Sequence, residues 1–270
     1  MALPPPGDSS TALITGASAG IGAEVARCLA RRGHGVTLVA RREERLRELA
    51  TELEGSHGVR AEVLGCDLAD PEARDRLAAE IATRELEVEI LVNNAGFGGF
   101  GTFVELGRER QLEMVRLNVE AVVDLMGRYV PLMEGRGRGA VINVASMAAF
   151  QPLPENATYA ATKAFVLSLS EATHSELKGG GVTLTTLCPG PVRTEFADVA
   201  GIGGAEERTP GFLWMSPAEV AEQAVSGAEK GRRVVVPGML NQATAVAGQH
   251  SPRMFLLPLA KRIWRQSAGR

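Results

Sequence analysis

No stretch of this 270-residue chain approaches the roughly 18 consecutive apolar residues that a bilayer-spanning helix requires, so helical membrane insertion is not expected. Cysteine is scarce as well. Cys28, Cys66 and Cys188 are odd in number, lack metal-ligand spacing and sit in apolar or strand-like settings, which points away from a disulfide framework or a bound metal and toward a reduced, cytoplasmic protein. Positive charge is not in excess either. With 29 Lys and Arg against 32 Asp and Glu the net charge is -3, whereas nucleic-acid binding needs a basic surface to neutralise phosphates. Acidic residues are themselves missing after Glu229, a stretch that holds Arg232, Arg233, Arg253, Lys261, Arg262, Arg265 and Arg270. The proline-rich opening, residues 1–10, lacks the charged and apolar regions of a secretion signal. Internal repeats and low-complexity linkers are also lacking, so nothing divides the chain.

What is present reads as one α/β domain. Apolar content of 45% and charged content of 23% are ordinary for a globular chain, and this length buries a single large core. Short β-branched runs alternate with segments of helical period, the pattern of repeated βαβ units on a parallel sheet. Strands are expected at Thr11–Thr15, Val36–Ala40, Arg60–Gly65, Glu89–Asn93, Ala140–Ala145, Val182–Leu187 and Arg233–Val236. Most are continuously apolar, which places helices on both faces. Ile21, Val25 and Leu29 share one helical face, with Gly33 ending that helix; Leu46, Leu49 and Leu53 share another, with Glu43 and Arg47 paired outside. Asp70-Pro71 and Ser216-Pro217-Ala218-Glu219 read as helix starts. The expected organisation is a flexible tail over 1–10, a catalytic unit over 11–240 and a basic, apolar extension over 241–270.

Directly after the first strand comes Thr15-Gly16-Ala17-Ser18-Ala19-Gly20-Ile21-Gly22, entering a helix. A dinucleotide pyrophosphate needs such a place, because glycines let the backbone approach it and a helix N-terminus offers unpaired N–H groups. At the end of the second strand an acidic residue would bind the adenosine ribose; here Arg41 and Arg42 stand instead. Two guanidiniums and no carboxylate favour a 2′-phosphate, hence NADP(H) over NAD(H). Further along, Tyr159 and Lys163 are four apart on one helical face, and Ser146 lies just past the fifth strand.

The Thr-Gly-x-x-x-Gly-x-Gly loop together with Ser146 and Tyr159-x-x-x-Lys163 resembles the short-chain dehydrogenase/reductase family, and the resemblance runs from about Thr11 to Pro237. It implies a Rossmann-type doubly wound fold of about seven parallel strands, with Gly16, Ser18, Ala19, Gly20, Ile21 and Gly22 around the pyrophosphate. Asp67 and Leu68 would face the adenine, and Asn94, Ala95 and Gly96 would lie beside the cofactor. Pro189, Gly190, Val192 and Thr194 would meet the nicotinamide carboxamide. Hydride delivery to a carbonyl leaves alkoxide character on oxygen, which Tyr159 can protonate. An ammonium at Lys163 would lower the phenol from its ordinary value near 10 and, by the resemblance, hold the nicotinamide ribose. Ser146 would position the substrate oxygen, and Asn118 would hold a water in a proton relay.

The resemblance names no substrate. It implies a mobile lid over about 195–215. Phe97, Phe150 and Phe196, together with Phe212, Trp214 and Met215, suggest an apolar pocket for a lipophilic carbonyl or alcohol, although such residues serve equally as core or subunit contacts. Members of this family are mostly dimers or tetramers, so a homo-oligomer is expected. The segment Met254–Arg265 would suit either an anionic membrane surface or a subunit contact; Pro258, which interrupts it, disfavours the former. The competing function, a catalytically silent dinucleotide sensor, would be expected to have lost Tyr159 or Lys163.

Overall fold

The alternation of short apolar runs with helical segments becomes, in the computed structural model, parallel strands joined by helical crossovers. Residues 3–196, 200, 211–251, 254 and 257–258 are described. The strands are β1 Ser10–Thr15, β2 Val36–Ala40, β3 Ala61–Gly65, β4 Glu87–Asn93, β5 Gly139–Val144, β6 Val182–Leu187 and β7 Val234–Val235. They form one sheet in the order β3-β2-β1-β4-β5-β6-β7, every pair parallel. The expected four-residue last strand is only two long. It is an edge strand whose Val234 and Val235 pair with Thr186 and Leu187 of β6 alone.

Side-chain alternation along the strands splits the core into two layers. On one face Ala12, Ile14, Leu38, Ile90, Val92 and Ile142 pack with helices α1 Gly20–Arg31, α2 Glu43–His57 and α7 Pro217–Glu229. On the other, Leu13, Val39, Leu91, Val141 and Leu184 meet α3 Pro71–Thr83, α5 Ala121–Arg136 and α6 Ala157–Glu176. This is a single doubly wound α/β domain. Two further helices, α4 Arg108–Val115 and α8 Met239–His250, lie beside it. The local signals act as expected. Asp70 accepts from the Glu72 N–H with Pro71 in the first turn, Ser216 and Glu219 cap each other, and Gly33 follows α1 with φ +84°.

All three cysteines are buried and free. Among the described residues no helix is long and apolar enough to cross a membrane, and no cluster of three His, Cys, Asp or Glu could hold a metal. The expected lid falls largely on 197–199 and 201–210, outside the described residues, as does most of 254–265.

Candidate active site

Strand order reverses about β1, whose neighbours are β2 and β4, and loops after such a switch point open a crevice for a ligand. The loop after β1 is built for backbone approach. Gly16 has φ +66° and Gly20 φ +57°, where only glycine is unstrained. A methyl group on Gly22 would stand 2.5 Å from both the Asn94 Nδ2 and the Gly16 carbonyl. Asn94 is the staple: its Nδ2 donates to the carbonyls of Thr15 (2.9 Å) and Gly16 (3.2 Å), while its own N–H and that of Ala95 donate to the Thr15 hydroxyl. The α1 N-terminus begins after Ala19 with no side-chain cap and no acidic residue in its first turn. Its N–H groups and positive dipole end therefore remain available to an anion, and the cradle fits a dinucleotide pyrophosphate.

Toward β2 and β3 the site becomes wet. Arg41 is exposed. Arg42 donates through Nε (3.2 Å) and Nη2 (3.0 Å) to the Ser18 hydroxyl of the glycine loop. Asp67 accepts from the Ala69 N–H at 3.1 Å, shaping the turn after β3, and Leu68 beside it is buried. The Leu68 carbonyl takes an N–H from Arg74, a buried guanidinium that also pairs with Glu120 and Asp124. Nothing in the sequence singled out Arg74, because its partners lie 46 and 50 positions away.

The far end is dry. Tyr159 and Lys163 lie on one face of α6, 8% and 5% exposed, beside Ser146 at the end of β5. Burial pushes the Tyr159 phenol up to about 12, opposed by a hydrogen bond with Ser146. The Lys163 ammonium is 5.8 Å from the phenol's ring centroid and donates to the Val144 carbonyl at 2.8 Å. Burial brings Lys163 itself down to about 8. Both shifts share one cause, since loss of water disfavours whichever form carries charge.

Asn118 stands in a π-helical turn, Arg116–Glu120, between α4 and α5. Its Oδ1 accepts the Phe97 N–H (3.1 Å), and its Nδ2 donates to the Phe97 carbonyl (3.0 Å) and the Thr162 hydroxyl (3.1 Å). These bonds fix Phe97 and α6 to the π turn. Gly96 is where the two ends meet, because a methyl group there would be 2.9 Å from Asn118 Oδ1 and 3.4 Å from Lys163 Nζ.

Among the expected pocket aromatics, Phe97 and Phe196 gather on Tyr159, the Phe196 ring 5.5 Å from it and tilted by 51°. Arg110, not foreseen, covers the Phe97 ring at 4.1 Å. Phe150 packs elsewhere, against the layer of α3, α5 and α6. After β6, Pro189 accepts the Met147 N–H, Gly190 leaves room for Asn241 of α8, Val192 bridges to Met215, and the Thr194 methyl faces Gly20.

Comparison with known proteins agrees with this arrangement. A family model described as short chain dehydrogenase matches residues 10–201. A 7beta-hydroxysteroid dehydrogenase of Mediterraneibacter gnavus is 30% identical over 232 residues, covering 86% of this chain and 87% of its own length. A short-chain dehydrogenase from Sphingobium yanoikuyae, solved in complex with NADPH, superposes with TM-score 0.79 and 36% identity over 92% of this chain and 94% of its own. The bulky-bulky ketone specific alcohol dehydrogenase from Comamonas testosteroni gives 0.75 and 30%, over 92% and 96%.

Proposed function

Because the chain belongs to the short-chain dehydrogenase family, we propose that residues 11–240 of this oxidoreductase move a hydride between NADP(H) and a lipophilic ketone or secondary alcohol. The observation that carries the proposal is the buried pair of Tyr159 and Lys163, with Ser146 hydrogen-bonded to Tyr159, meeting the glycine cradle at Gly96. A solved relative bound to NADPH, and relatives named for steroids and bulky ketones, support the cofactor and the substrate class. So do Arg41 and Arg42 after β2 and the apolar wall of Phe97 and Phe196.

In reduction, Ser146 and Tyr159 hydroxyls donate to the substrate oxygen and hold it in place. A bound nicotinamide would supply the hydride. Tyr159, kept protonated by burial, gives its proton to the developing alkoxide. Lys163, still an ammonium at neutral pH, stabilises the resulting phenolate in a low dielectric. The relay water that reprotonates Tyr159 is assigned to Asn118, which the bonds to Phe97 and Thr162 hold in place. Asp67 and Leu68 take the adenine side, and Pro189, Gly190, Val192 and Thr194 the carboxamide side. Exposed Leu112, Val115, Val123, Leu132 and Phe165 on α4 to α6 suit a homodimer or homotetramer.

The test is oxidation of NADPH and NADH against a panel of lipophilic and short polar carbonyls, wild type beside Tyr159→Phe. Turnover that falls about 10²- to 10⁴-fold in the variant, with NADPH binding retained, is the expected result. Binding without turnover across the panel would favour a dinucleotide sensor. Failure to bind either nucleotide would remove the proposal.

A further inference from the structure

Glu195 begins the segment that follows Thr194, yet its carboxylate reaches back across the cofactor loop. Its Oε2 accepts from Arg42 Nη1 at 2.7 Å and its Oε1 from Arg45 Nη1 at 2.6 Å. One guanidinium comes from the end of β2 and the other from the first turn of α2, 153 and 150 positions away in sequence. Arg42 turns its remaining donors to Ser18. A cavity of about 400 Å³ opens beside this bridge, lined by Ser18, Arg45, Arg193 and Thr194 and by the carboxylates of Glu48 and Glu195. Another arginine at the cavity, Arg27, is already paired with Glu24 and Glu52, so the basic groups facing the loop are Arg42, Arg45 and Arg193.

Resting on the NADP(H) preference proposed above, we infer that Glu195 is a built-in occupant of the 2′-phosphate site, and that Arg45 is part of that site. A carboxylate and a phosphate monoester seek the same guanidinium edges, and one N–H cannot serve both fully. NADPH therefore gains its phosphate contacts only by taking Arg42 and Arg45 from Glu195. NADH presents no anion there and leaves the bridge closed. Glu195 thus sets the ratio of the two affinities without touching the reacting atoms, and it tempers the preference that the arginines create.

Equilibrium titrations of NADPH and NADH, followed by cofactor fluorescence, on wild type, Glu195→Gln, Arg45→Ala and the double variant test this. Both substitutions are at half-exposed side chains, so the three variants fold. Glu195→Gln tightens NADPH about three- to fivefold, the range that such ion pairs reach, and leaves NADH unchanged. Arg45→Ala weakens NADPH about fivefold, and in its background the gain from Glu195→Gln shrinks. If Glu195→Gln leaves NADPH unchanged or weaker, or tightens NADH equally, or if Arg45→Ala leaves NADPH unaffected, the inference is overturned. Wild type that binds NADPH no more tightly than NADH takes the cofactor preference down with it, whereas a preference untouched by Glu195→Gln removes this inference alone.

Discussion

Around Tyr159 and Lys163 the protein is dry, each residue 8% exposed or less, and burial is the largest cause moving both groups toward their neutral forms. Around Arg42, Arg45 and Glu195, at the same end of the sheet, each side chain is 46–47% exposed and ion pairs decide where charge sits. The contrast teaches where energy is concentrated. In the dry half one group matters by orders of magnitude, because nothing replaces it. In the wet half each contact is worth little, and selectivity comes from competition between small terms.

The sharpest way to break this contrast is Lys163→Met. Turnover should fall by on the order of 10²-fold or more, while stability at pH 7 should rise, because a buried ammonium is replaced by an apolar chain of similar length. The pH dependence carries the sign. Between about 8, its folded value, and 10.5, its ordinary value, Lys163 binds fewer protons folded than unfolded, so wild type gains stability as pH rises through that window. Melting curves from pH 7 to 10 should show the variant's advantage shrinking. A variant that melts below wild type at pH 7 would mean that contacts outweigh burial in the dry half.

Next in size is Gly22→Ala, which forces a methyl group to within 2.5 Å of Asn94 Nδ2 and Gly16 O. A cost of about 1–3 kcal/mol is expected, read as a lowered melting temperature together with weakened NADPH binding. Gly55→Ala on α2, with nothing within 4 Å of the new carbon, is the control and should be neutral or slightly stabilising. Equal effects at the two glycines would deny the cradle its special fit. The smallest effect belongs to the wet half, where Arg42→Ala should weaken NADPH about tenfold and NADH less than twofold. A loss shared by both nucleotides in these titrations would place Arg42 on the common part of the cofactor.

Local signals were legible because they are local. β2 and β6 lie where their apolar runs predicted, the capping box at Ser216 forms, and the glycine loop lies on the strand-to-helix turn that its spacing required. What stayed hidden depends on contacts across the chain. The π turn at Asn118 is tied to Phe97, 21 residues upstream, and to Thr162, 44 downstream. Glu195 reads in sequence as one more charged residue, and only the fold brings it to Arg42 and Arg45. The depth at which Tyr159 and Lys163 are buried was hidden for the same reason, since four-residue spacing shows that two side chains share a face but not how little water reaches them. Phe150 likewise shares a composition signal with Phe97 and Phe196 while facing a different layer.

The Asn94 staple also governs time. One amide side chain joins the glycine loop to the end of β4, and on the other side the backbone N–H groups of Gly16 and Ala17 both donate to the Val39 carbonyl of β2, so these N–H groups cannot open to solvent unless the loop and β1 part from β2. Their hydrogen exchange should track global unfolding rather than loop fluctuation. A nucleotide then arrives at a receptor that is already ordered, and the rate of its capture is set by encounter rather than by waiting for the loop to fold.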